Sequence, residues 1–423
     1  MTADLILHNI GELITPSLGK GPKKGNSMGD ITRFHSAFIA IKDGIILDYG
    51  ERPFDAYTGA HTVLHDVKGK LVTPGLVDGH THLVHAGSRE HEAEKTMMGT
   101  PYLDILKEGG GILSTVKATR EASFDSLYAQ SRKSLDRMLS YGVTTVEGKS
   151  GYGLDESTEL KQLRVQKQLD NNHPVDIHST YLGAHALPQA YSEKRETFIQ
   201  EVIATMDLVK HEGLARYVDV FCEKGAFTLE ESGKVLQSAK EKGFGLKIHA
   251  DEMHSLGGVE MAASLNAVSA DHLMVIDDKG IEALRDSQTI ANLLPATSFY
   301  LAKDYAPARK LIDAGAAVAL SSDYNPGSSP CDNFLFTLNL AALKLRMSPS
   351  EILAAATTNG AYALEKGETH GLISKGYKAD LVVWDAPNWP YVLYHYAVNH
   401  VCHVYKNGRM VMRNHTNIEE DET

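Results

Sequence analysis

The sequence predicts an α/β chain whose middle closes into a barrel of eight β/α units, with a small β-sandwich domain built from its two ends. Three observations carry this expectation. Short apolar runs recur eight times between residues 71 and 320. Stretches with helical apolar spacing separate most of them, and strand-and-turn patterns occupy both termini. A length of 423 residues accommodates one barrel and a satellite, and 43% hydrophobic against 23% charged residues is a globular composition.

The first 70 residues read as β structure. Leu5 to Ile14 is apolar-rich, with Ile6, Ile10 and Leu13 interleaved with other types. Ala37 to Asp48 is a hairpin, two apolar strands around Asp43-Gly44. Between them, Gly19 to Asp30 is rich in glycine and lysine and is expected to be an exposed loop. The C-terminus has the same style. Ala379 to Trp384 is a strand, and Val401 to Met412 is a hairpin turning at Asn407-Gly408. Chain ends often lie close together, so one small domain is expected from residues 1–72 plus 372–423, enclosing a barrel at 73–371.

The middle alternates. Its strand-like runs are Leu71–Val77, Val143–Val146, Val175–Tyr181, Tyr217–Phe221, Phe244–Ile248, Ala267–Ala270, Thr289–Leu294 and Ala316–Leu320. Helices are expected at Ser123 to Tyr141, with Ser123 as N-cap and Gly142 as stop, and at Thr158 to Leu169, Glu230 to Lys242 and Ser350 to Leu364. Eight such units over some 300 residues describe a TIM-type (β/α)8 barrel. A doubly wound open sheet is the alternative, and the absence of Gly-x-Gly-x-x-Gly after the first strand lowers it.

Composition excludes several function classes. A net charge of −12 argues against nucleic acid or an anionic membrane as partner and leaves a small-molecule substrate. Cys222, Cys331 and Cys402 are odd in number and far apart, which suits a reducing compartment. Met1 to Thr15 lacks a signal-peptide pattern, and no run approaches a bilayer span of about 20 residues. A cytoplasmic protein is expected, and base rates favour a homodimer.

In a barrel, chemistry collects just beyond the C-terminal ends of the strands. Those positions here are crowded with donors and ionisable groups. The first strand runs into Asp78-Gly-His80-Thr-His82, the second into Glu147-Gly-Lys-Ser-Gly-Tyr152, and the third ends near His185. The fifth ends in His249-Ala-Asp-Glu252, the sixth in Asp271-His272, and the eighth in Asp323-Tyr-Asn325-Pro-Gly327-Ser328. His80 and His82 are two apart on an extended segment, so both face one side. With His249 and Asp323 they make three imidazoles and one carboxylate, a set for one divalent or ferric ion per chain, zinc or iron. Glu252 is placed to serve as a base and His272 to orient or share the proton.

These strings resemble the amidohydrolase superfamily over nearly the full length. They are His80-Thr-His-Leu-Val-His-Ala-Gly-Ser-Arg-Glu-His91, Gly109-Gly-Gly-Ile-Leu-Ser-Thr-Val116, Lys149-Ser-Gly-Tyr-Gly-Leu154, Lys247-Ile-His-Ala-Asp-Glu252, Ser269-Ala-Asp-His272 and Asp323-Tyr-Asn-Pro-Gly-Ser-Ser329. The resemblance is narrowest to the branch that opens 4-imidazolone-5-propanoate to N-formimidoyl-L-glutamate in histidine degradation. It implies metal ligands at His80, His82, His249 and Asp323, and catalytic roles for Glu252 and His272. It implies substrate contacts at Arg89, Tyr152, His185, Glu252, Asn325, Gly327 and Ser328. An arginine suits a propanoate because its planar fork matches a carboxylate. The Gly109–Gly111 segment is expected to fold over the substrate.

Two residues depart from the family pattern: Gly148, where a branched apolar residue is expected, and His85, which offers itself as a wrong ligand. The nearest rival is a cytosine or guanine deaminase with the same ligands, against which Arg89 and Tyr152 speak. A non-catalytic scaffold would usually have lost ligands, and all four are present.

Overall fold

The computed structural model describes residues 1–51, 53–100 and 110–414. Gly109, the first residue of the segment expected to close over substrate, lies outside them.

The N-terminal part forms strands β1 (Leu5–Pro16), β2 (Ile31–Lys42), β3 (Ile45–Gly50), β4 (Val63–Asp66) and β5 (Leu71–Pro74). Eight parallel strands follow: β6 (Leu76–Asp78), β7 (Val143–Lys149), β8 (Asp176–Ala184), β9 (Tyr217–Cys222), β10 (Gly245–Ala250), β11 (Ser269–His272), β12 (Ile290–Leu293) and β13 (Val318–Leu320). The chain then returns to the first sheet with β14 (Leu381–Trp384), β15 (Val401–Lys406) and β16 (Arg409–Arg413). That sheet runs β16-β15-β14-β5-β1-β2-β3, with β4 also on β1. It forks at β1, whose register shifts between Leu7 and Ile10. The first half pairs with β4 and the second with β5. Period-two alternation then buries both faces: Leu7, Leu13, Ile39 and Ile41 on one, and Ile6, Phe38 and Ala40 on the other.

Both expected hairpins are present, and their turns explain themselves. Asp43 and Gly44 have φ of 51° and 78°, Asn407 and Gly408 of 47° and 72°. Two successive positive φ angles match the right-handed twist of paired strands. Ser123 accepts a hydrogen bond from Ser126 N and caps the helix Phe124–Ser140, as its sequence position implies.

Two expectations need correction. Leu71–Val77 is not one strand. It breaks at Gly75, so that β5 belongs to the terminal sheet and β6 opens the barrel. Pro74 offers no N–H to continue a ladder. A Cβ on Gly75 would stand 2.3 Å from Thr144 Oγ1, so only glycine lets the chain step from one sheet to the other. Nor is Gly19–Asp30 simply an exposed loop. It contains the 3-10 turn Gly25–Gly29, buries Met28, and binds the barrel through Gly25 N to Ala316 O (3.1 Å) and Lys23 N to Asn359 Oδ1 (2.8 Å).

The barrel closes between its last and first strands at the mouth. Asp323 N donates to His80 O (3.0 Å) and His82 N to Tyr324 O (2.8 Å). Below them, Asp78 accepts from Ser322 N (2.9 Å) and Ser322 Oγ. Burial pushes the Asp78 carboxyl up to about 7 against those two bonds. The interior beneath the mouth is charged rather than apolar. Lys149 lies 2.9 Å from Glu147 and 2.6 Å from Asp219, and Lys247 lies 3.0 Å from Glu147. All four are fully buried. Among the described residues no helix is long and apolar enough to cross a membrane.

Candidate active site

The four expected ligands come from three strand ends and meet. Candidate ligand atoms of His80, His82 and His249 all lie within 4.8 Å of one another. Asp323 Oδ1 is 3.5 Å from His80 Nε2 and 3.6 Å from His82 Nε2. Thr297 holds the other Asp323 oxygen, so Oδ1 is the one left facing the imidazoles. Burial pushes the Asp323 carboxyl up to about 6. His80 Nε2 and His249 Nε2 are buried with no hydrogen-bond partner. Buried polar nitrogens are rarely left so without a function. Three imidazoles and a carboxylate with orphaned nitrogens fit a divalent ion.

Carboxylates stand behind two of the three histidines. Asp271 Oδ2 is 2.6 Å from His80 Nδ1, and Asp219 Oδ2 is 3.0 Å from His249 Nδ1. Each leaves Nε2 for the ion, an outer layer expected of metal-binding histidines. Burial, and then the Lys149 cation, hold His80 neutral well below the usual imidazole range. Burial alone would do the same to His249, but Asp219 outweighs it and raises that group. Lys149 also sits 3.7 Å from Asp271, so one cation joins both orienting carboxylates.

Neither Asp219, Asp271 nor Lys149 was among the residues expected to serve the site. A signal exists for two of them. For Lys149 it is the spacing: Glu147 with Lys149, and Lys247 with His249, are polar pairs two apart on strands, so each pair shares a face; for Asp219 it is a lone carboxylate within the apolar run Tyr217–Phe221.

Glu252 and His272 stand together at the mouth. His272 Nε2 is 3.8 Å from Glu252 Oε2, and the His272 ring is 5.1 Å from that of His249 and 5.4 Å from that of His80. Burial, and then the Asp323 charge, push the Glu252 carboxyl up to about 8. His272 and Asp323 both adopt left-handed backbone, with φ of 79° and 53°. Such strain in non-glycine residues collects at functional sites.

The expected substrate contacts ring this centre. His185 stacks on His82 with centroids 4.9 Å apart, and Tyr152 lies 5.5 Å from His82 and 5.3 Å from His185. Arg89 brings one end of its guanidinium up to Gly327, where a Cβ would come within 2.0 Å of it, and its Nε donates to Glu92 (3.2 Å). Asn325 is occupied by its own loop. Its Oδ1 accepts from Gly327 N (2.8 Å) and Ser328 N (2.7 Å), and its Nδ2 donates to Asp323 O (2.7 Å). That amide shapes the loop beside Asp323.

Both departures have local explanations. A Cβ on Gly148 would stand 3.0 Å from the Gln166 amide, so any side chain there would press on that amide. His85 points its Nδ1 at His82 O (2.9 Å) and packs 5.6 Å from Tyr324, outside the cluster of ligand atoms.

A parallel eight-stranded barrel with three imidazoles and a carboxylate at its mouth defines a metal-dependent hydrolase. The amidohydrolase family profile matches residues 71–411. The imidazolonepropionase of Bacillus cytotoxicus is 50% identical over 408 residues, 96% of each chain. That of Fusobacterium nucleatum is 50% identical over 414 residues, 98% of this chain and 100% of its own. The chain belongs to the amidohydrolase family, and within it to the imidazolonepropionases. Among solved structures, a zinc-bound adenosine deaminase from Xanthomonas campestris shares the fold at a TM-score of 0.73 and 17% identity, covering 99% of this chain and 95% of its own. A guanine-bound guanine deaminase from C. acetobutylicum does so at 0.72 and 16%, covering 96% and 99%.

Proposed function

We propose that the chain hydrolyses 4-imidazolone-5-propanoate to N-formimidoyl-L-glutamate, the ring-opening step of histidine degradation. The observation that carries this is the convergence of His80, His82, His249 and Asp323, in a chain half identical to imidazolonepropionases along nearly its whole length. In this reading those four residues hold zinc or iron. When bound there, the ion supplies Lewis acidity and a water whose pKa is lowered toward roughly 7.

The chain's own groups do the rest. Glu252 takes a proton from the attacking water and returns one to the ring nitrogen as the carbonyl–nitrogen bond breaks. One water is consumed, and the ring becomes a carboxylate and a formimidoyl nitrogen. A buried carboxyl held near neutrality suits both tasks. His272, 3.8 Å away, orients Glu252 or shares its proton. Arg89 pairs with the propanoate, and Tyr152 and His185 contact the ring or the carboxylate. The loop Asn325, Gly327 and Ser328 holds an anionic end of substrate or product. The barrel, which opens at β6 after the break at Gly75, carries the site, and the sheet built from both ends of the chain forms the supporting domain. The same reading has a cytoplasmic homodimer, in keeping with three unpaired cysteines.

The test is turnover by purified protein of known metal content. Imidazolonepropanoate should be opened in proportion to bound metal, with cytosine and guanine left unchanged. Deamination of either base with no ring opening would sink the proposal.

A further inference from the structure

The helix Glu156–Asn172 directs two side chains at the loop that carries Tyr152. Glu159 Oε1 accepts from Gly153 N (2.7 Å) and Leu154 N (2.9 Å), and its Oε2 accepts from Gly151 N (2.8 Å). One turn on, Gln162 Oε1 accepts from Tyr152 N (3.2 Å). Every backbone N–H from Gly151 to Leu154 therefore ends on one of two side chains, three residues apart on one helix face. Gln162 Nε2 also donates to Val84 O (2.6 Å), which ties the loop to the segment carrying His82. Gly151 O in turn accepts from His185 Nδ1 (2.9 Å), which holds that ring against the loop.

Ordinary helix capping does not require this arrangement. Asp155 already caps the helix by accepting from Thr158 N (2.8 Å). Glu159 instead fills a nest of converging N–H groups, the kind of concavity that elsewhere binds an anion. The loop is built around it. A Cβ on Gly153 would stand 2.9 Å from Glu159 Oε1, and one on Gly151 would stand 2.8 Å from His185 Nδ1. Gly151 and Leu154 sit at φ of 107° and 52°, conformations that persist only when surroundings impose them.

We propose that Glu159 and Gln162 are positioning residues for substrate binding, acting through Tyr152 and His185. This rests on the reading of Tyr152 as a substrate contact. Glu159→Gln keeps the shape but turns an amide NH2 toward N–H donors, which releases part of the loop. The full-length, metal-loaded enzyme carrying E159Q, Y152F or both is assayed for kcat, KM and metal content. In E159Q, KM should rise about tenfold or more, with kcat and bound metal within about twofold of wild type. The double variant should exceed the worse single variant by less than about twofold, because the loss in E159Q already includes the Tyr152 contact.

An unchanged KM in Y152F would overturn the reading of Tyr152 and this inference with it. A raised KM in Y152F beside an unchanged KM in E159Q would overturn the inference alone. So would an E159Q effect confined to lost metal or lower kcat, or full multiplication of the two effects. If E159Q yields no soluble protein, Q162A replaces it under the same criteria.

Discussion

At the residue scale, the site depends on which atom each side chain presents. Asp271 fixes His80 so that Nε2 faces the centre. Replacing Asp271 with Asn keeps the volume and removes the charge that selects this tautomer. Metal affinity should fall roughly 10- to 100-fold, measured by competition with a chromogenic chelator; unchanged affinity would show that Asp271 does not orient the ligand. Arg89 presents a planar fork that reaches Gly327 at one end and pairs with Glu92 through Nε. A lysine carries the same charge as a single point. Arg89→Lys should raise KM by about 10- to 100-fold at nearly constant kcat. A fall in kcat with KM unchanged would remove Arg89 from the binding of the propanoate.

At the element scale, the barrel strands carry charge where such interiors are usually filled by branched apolar side chains. Lys149 on β7 neutralises Glu147 on the same strand and Asp219 on β9, and Lys247 on β10 meets Glu147 from the other side. Removing Lys149 leaves the buried carboxylates Glu147, Asp219 and Asp271 short of positive charge. Lys149→Met should therefore destabilise the fold by about 3–5 kcal/mol, far more than an exposed pair would. Urea unfolding of the variant checks this, and a loss under about 1 kcal/mol would mean that the network is not bearing on stability. Because Lys149 also lies near Asp271, the variant should bind metal less tightly as well.

At the scale of the whole molecule, the barrel and the terminal sheet are joined by charge at the foot of β8. Asp176 accepts from His370 Nε2 (3.1 Å), Lys378 Nζ (3.1 Å) and Lys406 Nζ (2.8 Å). Burial alone would raise the Asp176 carboxyl, but these three partners outweigh it and hold it well below its ordinary 3.8. A folded-state value below the unfolded one means that this stabilisation is complete above that ordinary value. It is lost as pH falls through it toward the folded value. Asp176→Asn should thus be less stable at neutral pH and should lose less stability between about pH 5 and pH 3 than the wild type does. Denaturant midpoints measured across that range decide it. Parallel pH curves for the two proteins would exclude Asp176 as the acid-sensitive joint.

Periodic features and the donor set are readable from the order of residues alone. Eight apolar runs, the Asp43-Gly44 and Asn407-Gly408 turns and the Ser123 cap were legible because each rests on neighbours within a few positions, where local sterics and hydrogen bonding decide conformation. His80, His82, His249 and Asp323 were legible because barrel topology sends every strand's C-terminal end to one mouth. The remaining features come from long-range contacts in the folded chain. Tertiary packing split Leu71–Val77 between two sheets at Gly75, through the approach of Thr144, a residue 69 positions away in the chain. It seated Met28 and Lys23 against the barrel through partners near residues 316 and 359. It joined Asp219 and Asp271 through Lys149, and wrapped a backbone loop around Glu159. These contacts link positions whose separation in sequence carries no periodic signal, and their energy exists only once folding has removed water from between them.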